Sequence, residues 1–203
     1  MTTHLFMART PKITNEQILD AAREIFLQQG FGASTLEIAQ KAGISEASIF
    51  KRFSTKEELF FASMGIPERP PWVQELDSLS GKGNLKQNLI HLCLQTLEFH
   101  RQVMPRLMML RSRGNLLPET AHIIKSKPIR EVKVFTKFLA EEIEQGRLRP
   151  SDPQTIAMIL LGSLMNYVFL EQMHPGEVIK TDEKIFVENL VDIVWQGIAP
   201  IQD

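Results

Sequence analysis

Residues 45–52 place small polar and basic side chains along one side of a short predicted helix. Ile49 and Phe53 would bury the opposite side, because residues four apart share one helical face. The outward positions are Glu46, Ser48, Lys51 and Arg52. Side chains of these types exchange hydrogen bonds with base edges and pair with phosphates. The chemistry expected of this helix is therefore contact with the major groove of duplex DNA.

A second short helix precedes it and should hold it in place. This helix is predicted from Thr35 to Ala42, and its apolar face consists of Ile38, Ala39 and Ala42. Gly43 is suited to the left-handed conformation that ends a helix, and Ser45 can cap the next one. Ile44 would fill the corner between the two. Two short helices joined by such a turn predict a helix-turn-helix.

The first residues of the two helices have distinct expected roles. Thr35 and Ser45 are predicted helix caps, and each could also offer a hydroxyl or free helix amides to a phosphate. Glu46 could accept from a cytosine amino group, and Ser48 could bond either kind of base. Taken singly, each of these two is more often a solvated surface residue, and the helix-turn-helix motif makes base contact equally expected. Ala47 is small enough to let the helix lie deep in the groove and touch a thymine methyl group.

The end of the second helix supplies the larger contacts. Phe50 could pack its ring edge on the sugar-phosphate backbone, although part of it could belong to the core. Of Lys51 and Arg52, one is expected to contact a base or the backbone and the other mainly the backbone.

Residues 35–60 resemble the DNA-binding domain of TetR-family transcriptional regulators. The family pattern falls on Thr35, Ile38, Ala39, Ala42, Gly43, Ile44, Ser45, Ile49, Phe50, Phe53 and Lys56. The resemblance covers about the first 65 residues, and it implies that Lys56 clamps a phosphate. Ala47 stands where a glycine is common, and Arg52 where a histidine or aromatic residue is common. The base preference of a relative is therefore not transferred.

Composition describes a globular protein with a balanced charge. The 203 residues are 43% hydrophobic and 23% charged, with a net charge of −1. This balance predicts few phosphate contacts and a modest salt dependence, about −0.9 in logarithmic slope per phosphate. The single cysteine, Cys93, excludes an intramolecular disulfide and suits a reducing cytoplasm. Residues 156–170 are apolar but interrupted, so we expect them not to span a bilayer and expect no membrane partner.

Helical periodicity along the chain predicts an all-α protein with two domains. We assign 10–65 to a three-helix helix-turn-helix domain, and 66–203 to a helical bundle for effector binding and dimerisation. A capping box at Thr14 should open the first helix, and another helix should follow Thr55. Later helices are predicted at 85–109, with Pro105 kinking or splitting it; at 118–146, interrupted near Pro128; at 153–173; and at 182–197.

The C-terminal domain carries no catalytic motif, so we expect no enzyme activity, no cofactor and no metal site. Its middle helices are rich in methionine and aromatic residues, which pack a core but also suit a pocket for an apolar molecule. The family resemblance implies such a pocket, with a small hydrophobic or aromatic effector. Its predicted lining is Phe99, His100, Met104, Met108, Phe135, Met165, Asn166 and Tyr167.

A single helix-turn-helix reads few base pairs, so sequence-specific binding favours a homodimer. The last two helices should form half of a four-helix interface between two copies. The residues predicted to line it are Ile156, Leu160, Leu164, Val187, Val191 and Val194.

The resulting hypothesis is a cytoplasmic transcriptional repressor that a small effector releases from a palindromic operator. Two alternatives remain. A DNA-binding protein without an effector would have a fully packed C-terminal domain, and an enzyme or transport accessory protein would need a convergent polar cluster inside a cavity.

Overall fold

The computed structural model describes residues 13–67, 69–112, 118–174, 176 and 182–196, with only the backbone described for residues 118–129. The chain divides into two compact units, the head (Met1–Gly65) and the body (Ile66–Asp203). The head contains α1 (Asn15–Gln29), α2 (Thr35–Ala42), α3 (Glu46–Phe50) and α4 (Lys56–Ser63). The body contains α5 (Pro71–Leu79), α6 (Leu85–Ser112), α7 (Pro118–Glu144), α8 (Pro153–Met173) and α9 (Glu183–Gln196). All regular structure in the described residues is helical, which confirms the predicted fold class.

The helix ends of the head follow local sequence signals. The Thr14 hydroxyl accepts from the Gln17 backbone N–H at 3.2 Å, and the Gln17 side chain accepts from the Thr14 N–H at 2.9 Å. This reciprocal pair is the predicted capping box. Gly30 ends α1 with a φ of 76°, a conformation that favours glycine. The predictions for α1, α2 and the start of α4 are confirmed.

An aromatic cluster fills the head core. The Phe26 and Phe60 rings meet edge to face with centroids 5.1 Å apart, and Phe31 meets Phe60 at 5.2 Å. Ile18, Ile38, Ile49 and Leu59 are fully buried around them. Full burial of one such side chain contributes about 1.5–3 kcal/mol. The core therefore fixes α3 through Ile49, its one fully buried residue.

Helix α5 was not predicted, because the proline-rich run before it indicated a linker. Pro71 occupies the first turn, where its missing N–H needs no partner. Trp72, Val73 and Leu76 are buried, and the Trp72 ring lies 5.9 Å from that of Phe135 on α7. The spacing of these three apolar residues was the signal that could have identified the helix.

Two internal prolines do not divide the helices that contain them. Helix α6 continues through Pro105, and α7 continues through Pro128, so the predicted interruption at Pro128 is wrong. Proline removes one backbone donor, but its fixed φ is helical, so a long helix can continue past it. The last helix is confirmed as Glu183–Gln196, whereas the predicted end at Gly197 lies outside the described residues.

Candidate functional site

The turn between α2 and α3 sets the direction of α3. Gly43 adopts the left-handed conformation with φ 70° and ψ 31°, and the Ile44 N–H bonds the Ala39 carbonyl at 3.0 Å. The chain can then reverse within two residues. Ser45 caps α3: its hydroxyl accepts from the Ser48 N–H at 3.3 Å and lies 2.8 Å from the Ser48 hydroxyl.

Helix α3 is shorter than predicted. It ends at Phe50, with Lys51 as its C-cap, whereas the sequence predicted helix as far as Arg52. The helix ends early because the next hydrogen bond follows the tighter 3₁₀ pattern. The Arg52 N–H bonds the carbonyl of Ile49, three residues back, at 2.9 Å. Lys51 and Arg52 therefore lie in the turn that follows the helix.

Thr35 is the first residue of α2 and not its cap. The cap is Ser34, whose hydroxyl accepts from the Leu36 N–H at 3.2 Å. The Thr35 hydroxyl instead donates to a carboxylate oxygen of Glu46. This contact joins the starts of α2 and α3 across 11 residues, and a local sequence pattern gives no signal for it. Glu46 is half-buried and positioned by α2.

The basic side chains of the head differ in how firmly they are held. Arg52 donates from Nη1 to the Ile13 carbonyl at 2.9 Å and to Asn15 Oδ1 at 3.3 Å, so it anchors the start of α1. Lys41 pairs with Glu24 at 2.6 Å. The Lys56 ammonium lies 4.9 Å from the centre of the Phe31 ring, a cation–π contact. Lys51 is exposed and has no such partner within the described residues.

The outward side of α3 is compact and mixed in character. Ala47 and Lys51 are exposed, Phe50 is 42% exposed, and Ser48 is half-buried. The α3 surface, defined as Glu46, Ala47, Ser48, Phe50 and Lys51, brings together the predicted contact residues of this helix. A small apolar centre with one cation beside it suits insertion into a groove lined by phosphates.

The predicted effector-pocket residues differ in how deeply they are buried in the described part of the body. Phe99, His100 and Phe135 are buried in the body core, and Tyr167 is buried with its ring 4.6 Å from that of Phe186. Met104 and Met108 are half-buried. Met165 and Asn166 are exposed on α8, and their assignment to an effector pocket stays a prediction. Helix α8 is apolar nearly all round, and its sequence alone did not distinguish the inner from the outer side.

Two open grooves lie on the described part of the body. The α5/α7 groove, between those two helices, has a volume of about 460 Å³ and an apolar floor that includes Val73, Leu76 and Phe138. The α8/α9 groove has a volume of about 620 Å³ and includes Ile156, Leu160 and Val191. Both volumes lie in the range of small-molecule sites, about 300–1,000 Å³. Neither groove is lined by a predicted pocket residue.

A buried polar pair lies behind the α5/α7 groove. The His100 Nε2 atom lies 3.3 Å from a carboxylate oxygen of Glu131, and Glu131 also lines the groove. Phe135 stacks edgewise on Phe138, another lining residue, at 6.1 Å. Two of the predicted residues therefore form the second layer of this groove.

Four of the six predicted interface residues belong to the core of a single chain. Leu160, Leu164, Val187 and Val191 are buried among α6, α7, α8 and α9 within one chain, and Leu160 and Val191 also line the α8/α9 groove. Their assignment to a dimer interface stays a prediction, and the same helices carry apolar residues on their outer sides as well. Ile156 and Val194 are partly buried against the same core. The outer sides of α8 and α9 expose Met158, Ile159, Met165, Phe169, Ile185, Ile193 and Trp195.

By length and composition alone, the 21-residue helix α8 could cross a membrane, so the interruptions within residues 156–170 do not exclude a spanning helix on those two criteria. Ala157, Leu160, Leu161 and Leu164 of this helix are buried in the body core. A core helix of a soluble bundle has the same composition.

The fold and the α3 surface define a helix-turn-helix DNA-binding protein with a separate helical body. Two family models match the chain. Residues 18–63 match bacterial regulatory proteins of the tetR family, and residues 87–195 match the C-terminal domain of AefR-like transcriptional repressors. Because the second match alone spans more than half of the chain, the chain belongs to the TetR family of transcriptional regulators. Regulators of this family are soluble DNA-binding repressors that act as dimers, and they are not enzymes.

Relatives match the chain over nearly its whole length. An uncharacterised HTH-type transcriptional regulator, YvkB of Bacillus subtilis (strain 168), is 25% identical over 192 residues, which are 92% of this chain and 97% of that protein. RutR of Escherichia coli O157:H7 is 28% identical, covering 95% of this chain and 94% of that protein.

Solved structures share the fold. A TetR-family regulator from Mesorhizobium loti has a TM-score of 0.68 at 21% identity, covering 89% of this chain and 92% of that chain. FadR from Bacillus subtilis, in complex with stearoyl-CoA, has a TM-score of 0.65 at 18% identity, covering 92% of this chain and 100% of that chain.

Proposed function

We propose that this chain is a cytoplasmic, dimeric repressor that reads a palindromic operator through α3 and releases it when a small apolar effector binds the body. The observation that carries the proposal is the α3 surface. Gly43, the Ser45 cap and buried Ile49 fix this helix, and its exposed side carries small and basic groups. A rigid helix with that outer side suits major-groove contact.

Within that surface, each predicted contact takes a role that its geometry permits. Lys51 is the exposed cation and would contact phosphate or a base, while Ala47 and Phe50 would pack on thymine methyl groups or sugars. Thr35 and Glu46 bond each other, so they would position α3 and contact DNA through the atoms that remain. Ser45 and Ser48 would offer hydroxyl groups to phosphate or base.

Arg52 and Lys56 would act at the edge of the site. Arg52 holds the start of α1 through Ile13, so it would present that helix end to a phosphate as well as its own charge. Lys56 lies at the first residue of α4, where its ammonium is held over Phe31 and can reach an adjacent phosphate.

The dimer would form through the outer sides of α8 and α9. Exposed Ile159, Phe169, Ile185, Ile193 and Trp195 are large apolar residues on these two helices. A contiguous apolar patch on a soluble protein marks an interaction surface, and two copies of a helix pair can close it around a two-fold axis. The two α3 helices would then occupy successive major grooves, about 34–36 Å apart.

The effector would bind in the α5/α7 groove. Its apolar floor and the polar pair of His100 and Glu131 behind it provide both hydrophobic contact and a hydrogen-bonding group. The likeness to a FadR structure that holds stearoyl-CoA supports a body that accepts ligands with large apolar parts. We therefore keep a small hydrophobic or aromatic compound as the effector class.

Release would follow from a difference in affinity between two states of the dimer. Helix α4 is the last head helix before the boundary at Gly65, so we expect effector binding to change the spacing of the two α3 helices through it. To move the dimer from 1% to 99% of the DNA-incompetent state, the effector must favour that state by about 5.5 kcal/mol.

Selection of duplexes from a random DNA pool at near-physiological salt tests the DNA-binding part. The expected result is an inverted repeat, because a two-fold dimer reads two identical half-sites. Enrichment of single half-sites, or no enrichment at all, would contradict the proposal.

The effector part is tested by release of that selected operator. A panel of apolar and aromatic compounds should include one that dissociates the complex, and Val134→Trp, which fills the α5/α7 groove, should abolish that release while leaving operator affinity intact. If the compound still releases the operator from the Val134→Trp variant, the effector does not bind in the α5/α7 groove. Tight operator binding that no compound in the panel reverses would favour the alternative of a repressor without a small effector.

A further inference from the structure

The charged residues of the α5/α7 groove lie at two depths. Its basic lining residues, Arg69, Arg130 and Lys137, are all exposed at the rim. Glu131 is the buried charged residue of the described lining: its side chain is 9% exposed, compared with 79% for Lys137. Water screens a charge at the rim far more than a charge in the protein interior. The inner part of the groove therefore offers a carboxylate, whereas the cations face water.

The other two carboxylates of the lining already have partners at the rim. Asp77 pairs with Arg69 at 3.0 Å. Glu141 accepts from the Ser80 hydroxyl at 3.1 Å and lies 3.6 Å from the Lys137 ammonium. A ligand that enters the groove gains little from either of them, since their charges are compensated and partly solvated.

Glu131 is less well satisfied. Among the described residues it bonds His100 alone, and the distance from Nε2 of His100 to one carboxylate oxygen is 3.3 Å, which is long for such a bond. Nδ1 of His100 is buried and has no hydrogen-bond partner in the part of the chain that the structure describes. Buried polar groups normally have their partners, so a pair with spare bonding capacity beside a groove points to a ligand. The second carboxylate oxygen of Glu131 can accept a hydrogen bond from that ligand.

The floor around Glu131 is apolar and backed by packed rings. Val73, Leu76 and Phe138 line it. The Phe138 ring lies 6.1 Å from that of Phe135, which in turn lies 5.9 Å from the ring of Trp72. A floor that is already packed loses little freedom when a ligand binds. The groove therefore suits a ligand with an apolar body and one polar end.

We propose that the α5/α7 groove selects a lipophilic cation, whose ammonium group donates to the free carboxylate oxygen of Glu131 while its apolar chain or ring lies on the floor. The inference rests on the proposed effector site and names the class of compound that this site takes. A hydrogen bond between two charged groups is about twice as strong as one between neutral groups. An aliphatic acid would instead meet Glu131 as a like charge, so the same contact disfavours it.

Calorimetric titration of the full-length protein with decylammonium, decanol and decanoate tests the proposal without DNA. The three compounds carry unbranched ten-carbon chains and differ in their polar end. We expect decylammonium to bind about tenfold more tightly than decanol, a difference of about 1.4 kcal/mol, and decanoate to bind most weakly. Equal affinities of the wild type for decylammonium and decanol would overturn the proposal, whatever the variants do.

Three variants assign the preference to one carboxylate in one groove. Glu131→Gln keeps the size of the side chain and a group that can bond His100, so it should remove the preference for decylammonium and leave decanol affinity unchanged. Asp77→Asn removes a negative charge from the rim and should retain the preference. Val134→Trp should weaken the binding of all three compounds. A preference that survives Glu131→Gln, or decylammonium binding that Val134→Trp does not weaken, would overturn the proposal.

Operator release separates failure of this inference from failure of the proposed function. If an uncharged or anionic compound releases the operator and Val134→Trp abolishes that release, the groove is the effector site and the inference of a cation is wrong. If decylammonium binds with the expected dependence on Glu131 but no compound releases the operator, the ligand class is correct and release by an effector is wrong.

Discussion

In the head, α3 buries Ile49 and exposes Ala47, whereas in the body α8 buries Leu160 and exposes Ile159 beside it. The outer side of α3 mixes small, polar and aromatic residues with Lys51 beside them, whereas that of α8 is large and apolar. A helix that meets DNA must present groups that exchange hydrogen bonds, whereas a helix that meets another protein copy gains most from apolar area. Both helices bury an apolar inner side, and their outer sides differ in chemical character according to what they are proposed to contact.

This difference also concerns how polar groups are held. In the head, Thr35 bonds Glu46, and Arg52 bonds the Ile13 carbonyl. The side chains on and beside the α3 surface are therefore ordered before DNA binds. In the body, Arg101 pairs with Glu171 at 2.8 Å and with Glu183 at 2.8 Å, which joins α6, α8 and α9. These carboxylates raise the pKa of Arg101 above its usual value. These ion pairs link α6 to α8 and α9 and so stabilise the helical bundle.

The largest expected effect concerns the independence of the two regions. Phe26→Ala removes the ring that meets Phe60 in the fully buried head core. We expect a loss of about 3–5 kcal/mol in the free energy of unfolding of the head. Operator binding should be lost while the body remains folded and dimeric, as measured by calorimetry and sedimentation. A single transition in which both regions unfold together would show that the head and the body are not independent.

A single charged substitution on the outer side of α9 tests whether this side forms the dimer interface. Ile193 is 55% exposed, and Ile193→Glu would place an unpaired carboxylate in the proposed dimer interface. Such a burial costs about 3–5 kcal/mol, so we expect monomers with unchanged helix content in sedimentation and circular dichroism. Asn189→Glu, at an exposed polar position on the same helix, should remain dimeric. If the Ile193→Glu variant remains dimeric, the interface does not include the outer side of α9.

Arg52 tests whether a side chain of the head both anchors α1 and contacts DNA. Arg52→Ala should lower the free energy of unfolding of the head by about 1.5–3 kcal/mol, because it removes a charged hydrogen bond to the Ile13 carbonyl. Operator affinity should fall without a change in dimerisation, as measured by gel shift and sedimentation. Unchanged operator affinity would restrict Arg52 to its structural role.

Lys51 and Lys41 form a matched pair. Both lie on the head, but Lys41 pairs with Glu24 and Lys51 is exposed without a partner among the described residues. Lys51→Ala should reduce the slope of log affinity against log salt by about 0.9, the value for one phosphate contact. Lys41→Ala should reduce it less. Equal slopes for wild type and Lys51→Ala would exclude a phosphate contact by Lys51.

The smallest expected effect is the slow reaction of the Cys93 thiol, which lies in the body core. Burial raises the pKa of the Cys93 thiol to about 12, so almost no thiolate exists at pH 8. A thiol reagent should label Cys93 in the folded protein only as fast as the chain unfolds, and at once in denaturant. Rapid labelling of the folded protein would show that this part of the body opens readily.

The sequence predicted the head better than the body, for physical reasons. Thr14, Gly30 and Gly43 act on their own few neighbours, so caps and turns could be placed from the sequence alone. The early end of α3 and the contact of Thr35 with Glu46 depend on packing between helices, which a local pattern does not contain. In the body, apolar residues surround α8, so periodicity could not separate Leu164, which is buried, from Met165, which is exposed.

Repeating the selection from random duplexes with Ala47→Asn tests most directly whether α3 reads DNA as one of two symmetric copies. Ala47 is exposed at the centre of the α3 surface, and an asparagine there can bond adenine with both its amide atoms. We predict an inverted repeat for the wild type, and a variant repeat that gains adenine at one position in each half-site. An unchanged repeat, or a change in one half-site only, would contradict the account.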